Sequence, residues 1–193
     1  MAGYTDAHPD VDLQVVEGDR AKMIEGISSR AIDIAILLGD PDARLGEPLL
    51  LWQERLHVVL STAHQLATLD QARWTDIEDE TFIVSARGAG QEAVQLLTAR
   101  LARPGRGLDT RSHFIGRETA QSMVGMELGV TLMIESDLGS LPKNVTAVPL
   151  AGSDEDTLVS LTAYRDPSND NPSLRRFWSF LKKRYAEPAL KAG

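Results

Sequence analysis

The stretch from His8 to Asp40, HPDVDLQVVEGDRAKMIEGISSRAIDIAILLGD, constrains the fold more than any other part of this chain. Val11, Leu13 and Val15 alternate with polar neighbours, the period of a strand with one buried face. Gly18 then permits a sharp turn, and Asp19 is placed to accept a hydrogen bond from the first free amides of a helix. Met23, Ile24 and Ile27 recur at helical spacing. Asp33 to Leu38 is a short, nearly unbroken apolar run, suited to a strand covered on both faces. Strand, helix and strand in this order predict a right-handed crossover and a parallel sheet. Ligands of such sheets sit off the carboxyl ends of the strands, where Gly18, Asp19 and Gly39 fall.

The alternation continues to the end of the chain. Short strands are predicted around Leu49 to Trp52, Leu56 to Leu60, Thr81 to Ser85, Arg111 to Ile115, Val130 to Ile134 and Thr157 to Tyr164. Helices are predicted over Ala89 to Ala102, ended by Pro104-Gly105, over Glu118 to Leu128, and over Ser173 to Tyr185. The expected class is α/β, with two lobes joined by two crossings, one near Ser61 and a return at Val145 to Leu150. Residues 1–60 with 149–193 are then one lobe and 61–148 the other. Lobes joined in this way can hinge, and small ligands bind in the cleft between them.

Composition narrows the function. With 42% hydrophobic and 25% charged residues the chain is globular, and no run is long or apolar enough to span a bilayer or serve as a secretory leader. The absence of cysteine rules out disulfide and thiol chemistry and fits a cytoplasmic location. A net charge of −8 repels a phosphate backbone, so this chain by itself is not expected to bind DNA. The basic residues Arg175, Arg176, Lys182, Lys183 and Arg184 lie opposite an apolar helix stripe and read as a solvated face.

Catalytic and cofactor patterns are missing. No G-x-S-x-G elbow occurs, and Ser140 in LGSLP lacks the second glycine. His8, His57, His64 and His113 are scattered, so neither a metal nor a cofactor is expected. SARGAGQEA, Ser85 to Ala93, has neither the Lys-Ser/Thr of a phosphate loop nor a third glycine at dinucleotide spacing. It remains either a plain reversal or a turn whose amides hold an anion.

Three segments in order carry a resemblance: HPDVDLQVVEGDRAKMIEGISSRAIDIAILLGDP, EPLLLWQERLHVVLSTAHQLA and SMVGMELGVTLMIESDLG. Together they resemble the effector-binding domain of LysR-type transcriptional regulators, across nearly the whole chain. The resemblance implies a type II periplasmic-binding-protein-like fold of two Rossmann-like lobes. It also implies a non-enzymatic sensor of a small metabolite, self-association into a homo-oligomer, and DNA contact only through a helix-turn-helix domain outside this chain. The family's domain normally opens with a further strand and helix, whereas seven residues, Met1 to Ala7, precede the His8 strand here. A solute-binding protein serving transport is the alternative on the same fold, and an enzyme a third reading.

Matching positions give the expected ligand-binding residues. They are Asp19 and Leu38 in the first lobe, Ser61 and Thr62 at the crossing, and Val84, Ser85 and Arg87 at a strand end of the second lobe. Arg117, Glu118 and Thr119 open its next helix. Helix starts after Gly18, Gly90 and Gly116, together with Arg87 and Arg117, favour an anion, most simply a carboxylate. Asp19 and Glu118 oppose it unless turned into their helix caps.

Overall fold

The computed structural model describes residues 2–86, 90–102, 107–139 and 141–185. In chain order the elements begin with helices α1 (Ala2–Ala7) and α2 (Arg20–Ser28), then strands β1 (Ala35–Leu38), β2 (Glu47–Ser61), β3 (Ala72–Arg73) and β4 (Phe82–Ser85). Helix α3 (Gly90–Leu101), β5 (Thr110–His113), α4 (Arg117–Gly125), β6 (Thr131–Ile134) and the short helix α5 (Glu135–Leu138) follow. The chain continues through β7 (Val145–Ala151), α6 (Asp154–Thr157), β8 (Leu158–Arg165) and α7 (Pro172–Arg184).

Two compact units emerge, Met1–Gln53 with Ser160–Gly193, and Glu54–Val159. The divisions fall at Gln53/Glu54 and Val159/Ser160, where the sequence pattern placed them at 60/61 and 148/149. The reason is local. Leu49 to Trp52 and Leu56 to Leu60 are one continuous strand, β2, and β8 likewise runs unbroken through its division. Val145 to Leu150, read as the return crossing, is an interior strand of the second unit.

In the first unit, β1 pairs antiparallel with β8, and β8 neighbours β2. Helix α2 starts because the Asp19 carboxylate accepts from Lys22 N at 2.9 Å. Its residues Met23, Ile24 and Ile27 then pack with Ala35, Leu37 and Tyr164. On α7, Asn171 accepts from Ser173 N, Pro172 occupies the first turn, and the three cations of the last turn complement the helix dipole. Trp178 and Leu181 bury against Leu51 and Ala163, each such side chain contributing roughly 1.5–3 kcal/mol. The Trp178 indole donates to Glu47 at 3.1 Å, and Arg165 pairs with the same carboxylate. Burial pushes the Glu47 carboxyl up, but these donors outweigh it and hold the group below its ordinary value. Tyr4 of α1 is fully buried, with Phe177 and Phe180 at ring distances of 4.7 and 5.2 Å.

Two expectations fail in this unit. Val11 to Val15 forms no strand and joins no ladder among the described residues, and Val15 and Val16 are 71% and 59% exposed. The predicted parallel pair is not formed: β1 pairs antiparallel with β8 and stands at the end of the strand order. Nor is β1 covered on both faces, since Ala35 and Leu37 are buried while Ile36 is 40% exposed.

The second unit is a mostly parallel sheet. Strands β4 and β5 are parallel, β4 meets the residue before β6 through a parallel bridge between Phe82 and Val130, and β7 and β3 are parallel. Strand β2 alone runs against its neighbours, antiparallel to β6 on one side and to β7 on the other. Val59, Ile83, Ala120, Val124, Met133 and Val145 form a core beneath α4. Entry into β6 is set by Gly129, whose φ is +151° and where an added Cβ would lie 2.4 Å from the Thr81 carbonyl oxygen. That approach lets Val130 N donate to Thr81 O, and Ile83 N to Val130 O. Gly129→Ala therefore meets both backbone strain and backbone contact. It is expected to lower unfolding free energy by about 2 kcal/mol or more, read by urea titration, and a change near zero would contradict this close approach.

Candidate functional site

Strand direction decides which residues of the second unit can act together. Strands β4, β5, β6 and β7 all point their carboxyl ends to one edge, so Ser85, His113, Ile134 and Ala151 terminate there. Strand β2 enters at that same edge, because Leu56 pairs with Ile134 and Glu54 precedes it. Carboxyl edges of parallel sheets are where ligands of α/β proteins bind.

The Ser85 hydroxyl donates to Ile115 O at 2.7 Å, tying the end of β4 to the turn that leaves β5. Ser85 and His113 are register partners, and the Nε2 of His113 is buried with no hydrogen-bond partner among the described residues. Phe114 stands 78% exposed beside it. Helix α4 then starts at Gly116, which supplies no side-chain cap, so the first-turn amides of Arg117, Glu118 and Thr119 face outward from the helix start. The bond from Ala120 N to Gly116 O closes the first turn behind them.

The charged groups at this edge are coupled. Arg117 Nη1 lies 2.5 Å from Asp137 Oδ1. Burial raises the Asp137 carboxyl above its ordinary value, Arg117 partly offsets this, and neighbouring Glu54 adds to it. Glu54 is 2% exposed, and its Oε2 accepts from Ser136 N at 2.8 Å. Burial likewise lowers His57, against smaller opposing effects of the Arg55 carbonyl and Glu135.

The expected ligand residues divide accordingly. Ser85, Arg117, Glu118 and Thr119 come to this edge, while Val84 is a buried core residue just behind it. Ser61 and Thr62 do not join them. They lie at the opposite end of β2, where Ser61 pairs with Val145 at the start of β7 and Thr62 N donates to Asn144 O. Because β2 is antiparallel to its neighbours, its carboxyl end is their amino end. Arg87, the Gly88 turn, Ser140 and Pro104-Gly105 lie outside the described residues. In the first unit, Asp19 is engaged as the cap of α2 and sits 3.4 Å from Lys22, and hydrogen bonds from Lys22 hold its carboxyl below the ordinary value. The Leu38 carbonyl accepts from Arg20 Nη1 at 2.8 Å, which places a cation at the end of β1.

Glu54, His113, Asp137 and Arg20 were missed from the sequence. A glutamate among Gln53 and Arg55 reads as surface, and a histidine ending a strand carries no motif. The one available signal was Glu54 standing between two apolar runs that form a single strand. Among the described residues no group of three or more His, Asp or Glu side chains could hold a metal. No helix among them is long and apolar enough to cross a membrane.

Comparison with known families identifies the chain's family. The model of the LysR substrate binding domain matches residues 1–186. The chain belongs to that family. A curated relative is the HTH-type transcriptional regulator CfxR of Cupriavidus necator, 29% identical over 144 residues, covering 72% of this chain and 43% of CfxR. The chain spans about half the length of the curated relatives it matches. The effector binding domain of QuiR in complex with shikimate superposes with a TM-score of 0.76 at 19% identity, covering 96% of this chain and 88% of that one. The Synechocystis PCC6803 CcmR regulatory domain in complex with 2-PG gives a TM-score of 0.74 at 16% identity, covering 97% and 90%. These similarities establish the α/β, periplasmic-binding-protein-like fold of LysR effector-binding domains.

Glu54 supplies a test of how this edge is held. Glu54→Ala leaves the Ser136 amide without its acceptor and should cost about 1–3 kcal/mol in urea unfolding. Glu54→Gln keeps an acceptor and should stay within about 1 kcal/mol of wild type. Equal losses in the two variants would show that the charge, not the amide bond, secures the segment.

Proposed function

We propose that this chain is the effector-sensing part of a LysR-type transcriptional regulator. Its effector is a small anionic metabolite held at the carboxyl edge of the second unit. The observation that carries this reading is the meeting there of the Ser85 hydroxyl, the Arg117 guanidinium and the side-chain-uncapped start of α4. Helix starts favour negative charge, and arginine adds charge-assisted hydrogen bonds to a carboxylate or phosphate. The names of the bound ligands in QuiR and CcmR support a small-molecule effector of this kind.

The effector is held and released unchanged. Binding biases the protein between conformations, and DNA is engaged through a different domain, consistent with the −8 charge here. The regulator works in the cytoplasm as a homo-oligomer. A transport role is disfavoured because the curated relatives it matches carry regulator names.

A thermal-shift and calorimetric panel of carboxylates and phosphates, including shikimate, tests the reading. At least one anion should raise the melting temperature, following the stabilisation RT ln(1 + [L]/Kd), and Arg117→Ala should weaken its binding by roughly tenfold. Stabilisation by cations or neutral sugars alone, or anion binding indifferent to Arg117→Ala, would overturn it.

A further inference from the structure

The described residues do not leave Arg117 waiting for a ligand. Its guanidinium reaches across to α5, where Nη1 meets Asp137 Oδ1 at 2.5 Å and the Asp137 carbonyl at 3.5 Å. The side chains of the pair remain 45% and 41% exposed, so a solute can reach them. The cation that best serves an anionic effector is therefore already holding a carboxylate of its own chain.

That carboxylate is poorly accommodated. Glu54, buried on β2, directs its charge towards the same short helix through the bond to Ser136 N, and Glu135 precedes Asp137 in sequence. His57 on β2 lies near Glu135, but burial favours its neutral form. Around Asp137, then, Arg117 attracts, while Glu54 and burial oppose the ionised state. Arg117 favours the ionised Asp137 carboxylate, while burial and Glu54 disfavour it more.

We infer that Asp137 is a positioning residue of the effector site, an internal carboxylate that occupies the Arg117 guanidinium until an effector anion displaces it. The inference rests on the effector reading above and adds its regulation. The effector's anionic group and Asp137 share one partner, so they compete. Only ligands that bind Arg117 better than a side-chain carboxylate already at hand are admitted, which selects phosphates and doubly anchored carboxylates over simple monoanions. It also gives a sign to the pH dependence. Lowering the pH protonates Asp137 before an ordinary aspartate, because its folded-state value is raised, and so frees Arg117. Binding of a non-titrating anion should therefore strengthen as pH falls through that value.

Inorganic sulfate, which does not titrate in this range, is the probe, followed by 1H–15N shifts of the Arg117 side chain and the Ser136 amide in the full chain. At pH 7, Asp137→Asn should bind sulfate about three- to fivefold more tightly than wild type, the range expected for removing a half-exposed ion pair. Wild type should approach Asp137→Asn as the pH is lowered, and its pH dependence should exceed that of Asp137→Asn. Asp137→Ala should match Asp137→Asn, Asp137→Glu should restore weak binding, and Arg117→Ala with Asp137→Asn should abolish the response. Equal affinity in wild type and Asp137→Asn, no saturable response in either neutral variant, or sulfate binding that survives loss of Arg117 would each overturn the inference. The two readings fail separately. A metabolite bound equally by wild type and Asp137→Asn removes the displaced carboxylate and leaves the sensor. Sulfate discrimination with no metabolite bound does the reverse.

Discussion

Strand β2 pairs along both of its edges at once, with Val58 opposite Leu132 on one side and Val148 on the other. Everything described for the second unit depends on this double pairing. A strand inserted against the direction of its neighbours fixes where each of them ends. The carboxyl ends of β4, β5, β6 and β7 come to one edge, and the amino-terminal part of β2 brings Glu54 to meet them. Val58, Val59 and Leu60 are fully buried, and because consecutive strand residues face opposite sides, β2 is covered on both faces here. The pairing of Leu56 with Ile134 and of His57 with Pro149 sets which polar groups meet at the edge.

At that edge the electrostatics are arranged around a conflict. Glu54 gives up water and is compensated by the Ser136 amide, while the Asp137 carboxylate is favoured by Arg117 and disfavoured by burial and by Glu54. A fully solvated pair would gain little and switch little. A fully buried one would be costly to open. Arg117 and Asp137 lie between these limits, with exposures near one half. The uncapped start of α4 and the Ser85 hydroxyl beside them contribute direction rather than net charge.

The sequence made the helices and most strands of the second unit legible, because Val94, Leu97 and Leu101 on α3 and TFIVS at β4 have clear periods. It exposed the ends of those strands, hence Ser85, Arg117 and Thr119. It hid whatever depends on pairing direction. Ser61 and Thr62 looked like a crossing because polar residues follow an apolar run, yet the antiparallel course of β2 puts them at the far end. Val11, Leu13 and Val15 have the alternation of a strand, but alternation is a property of side chains, and no backbone among the described residues completes the ladder. Glu54 and Asp137 were invisible for a related reason. Their environment is made by residues 82 and 20 positions away, and neither carries a local motif.

The account's central claim is that the effector's anionic group lies at the carboxyl edge of the second unit. A crystal structure of the protein soaked with an anion that stabilises it tests this most directly. The anion is predicted within hydrogen-bond distance of the Arg117 guanidinium and the amides of Glu118 and Thr119, with Asp137 turned away from Arg117. An anion seated instead near Ser61 and Thr62, at the opposite end of β2, would contradict it.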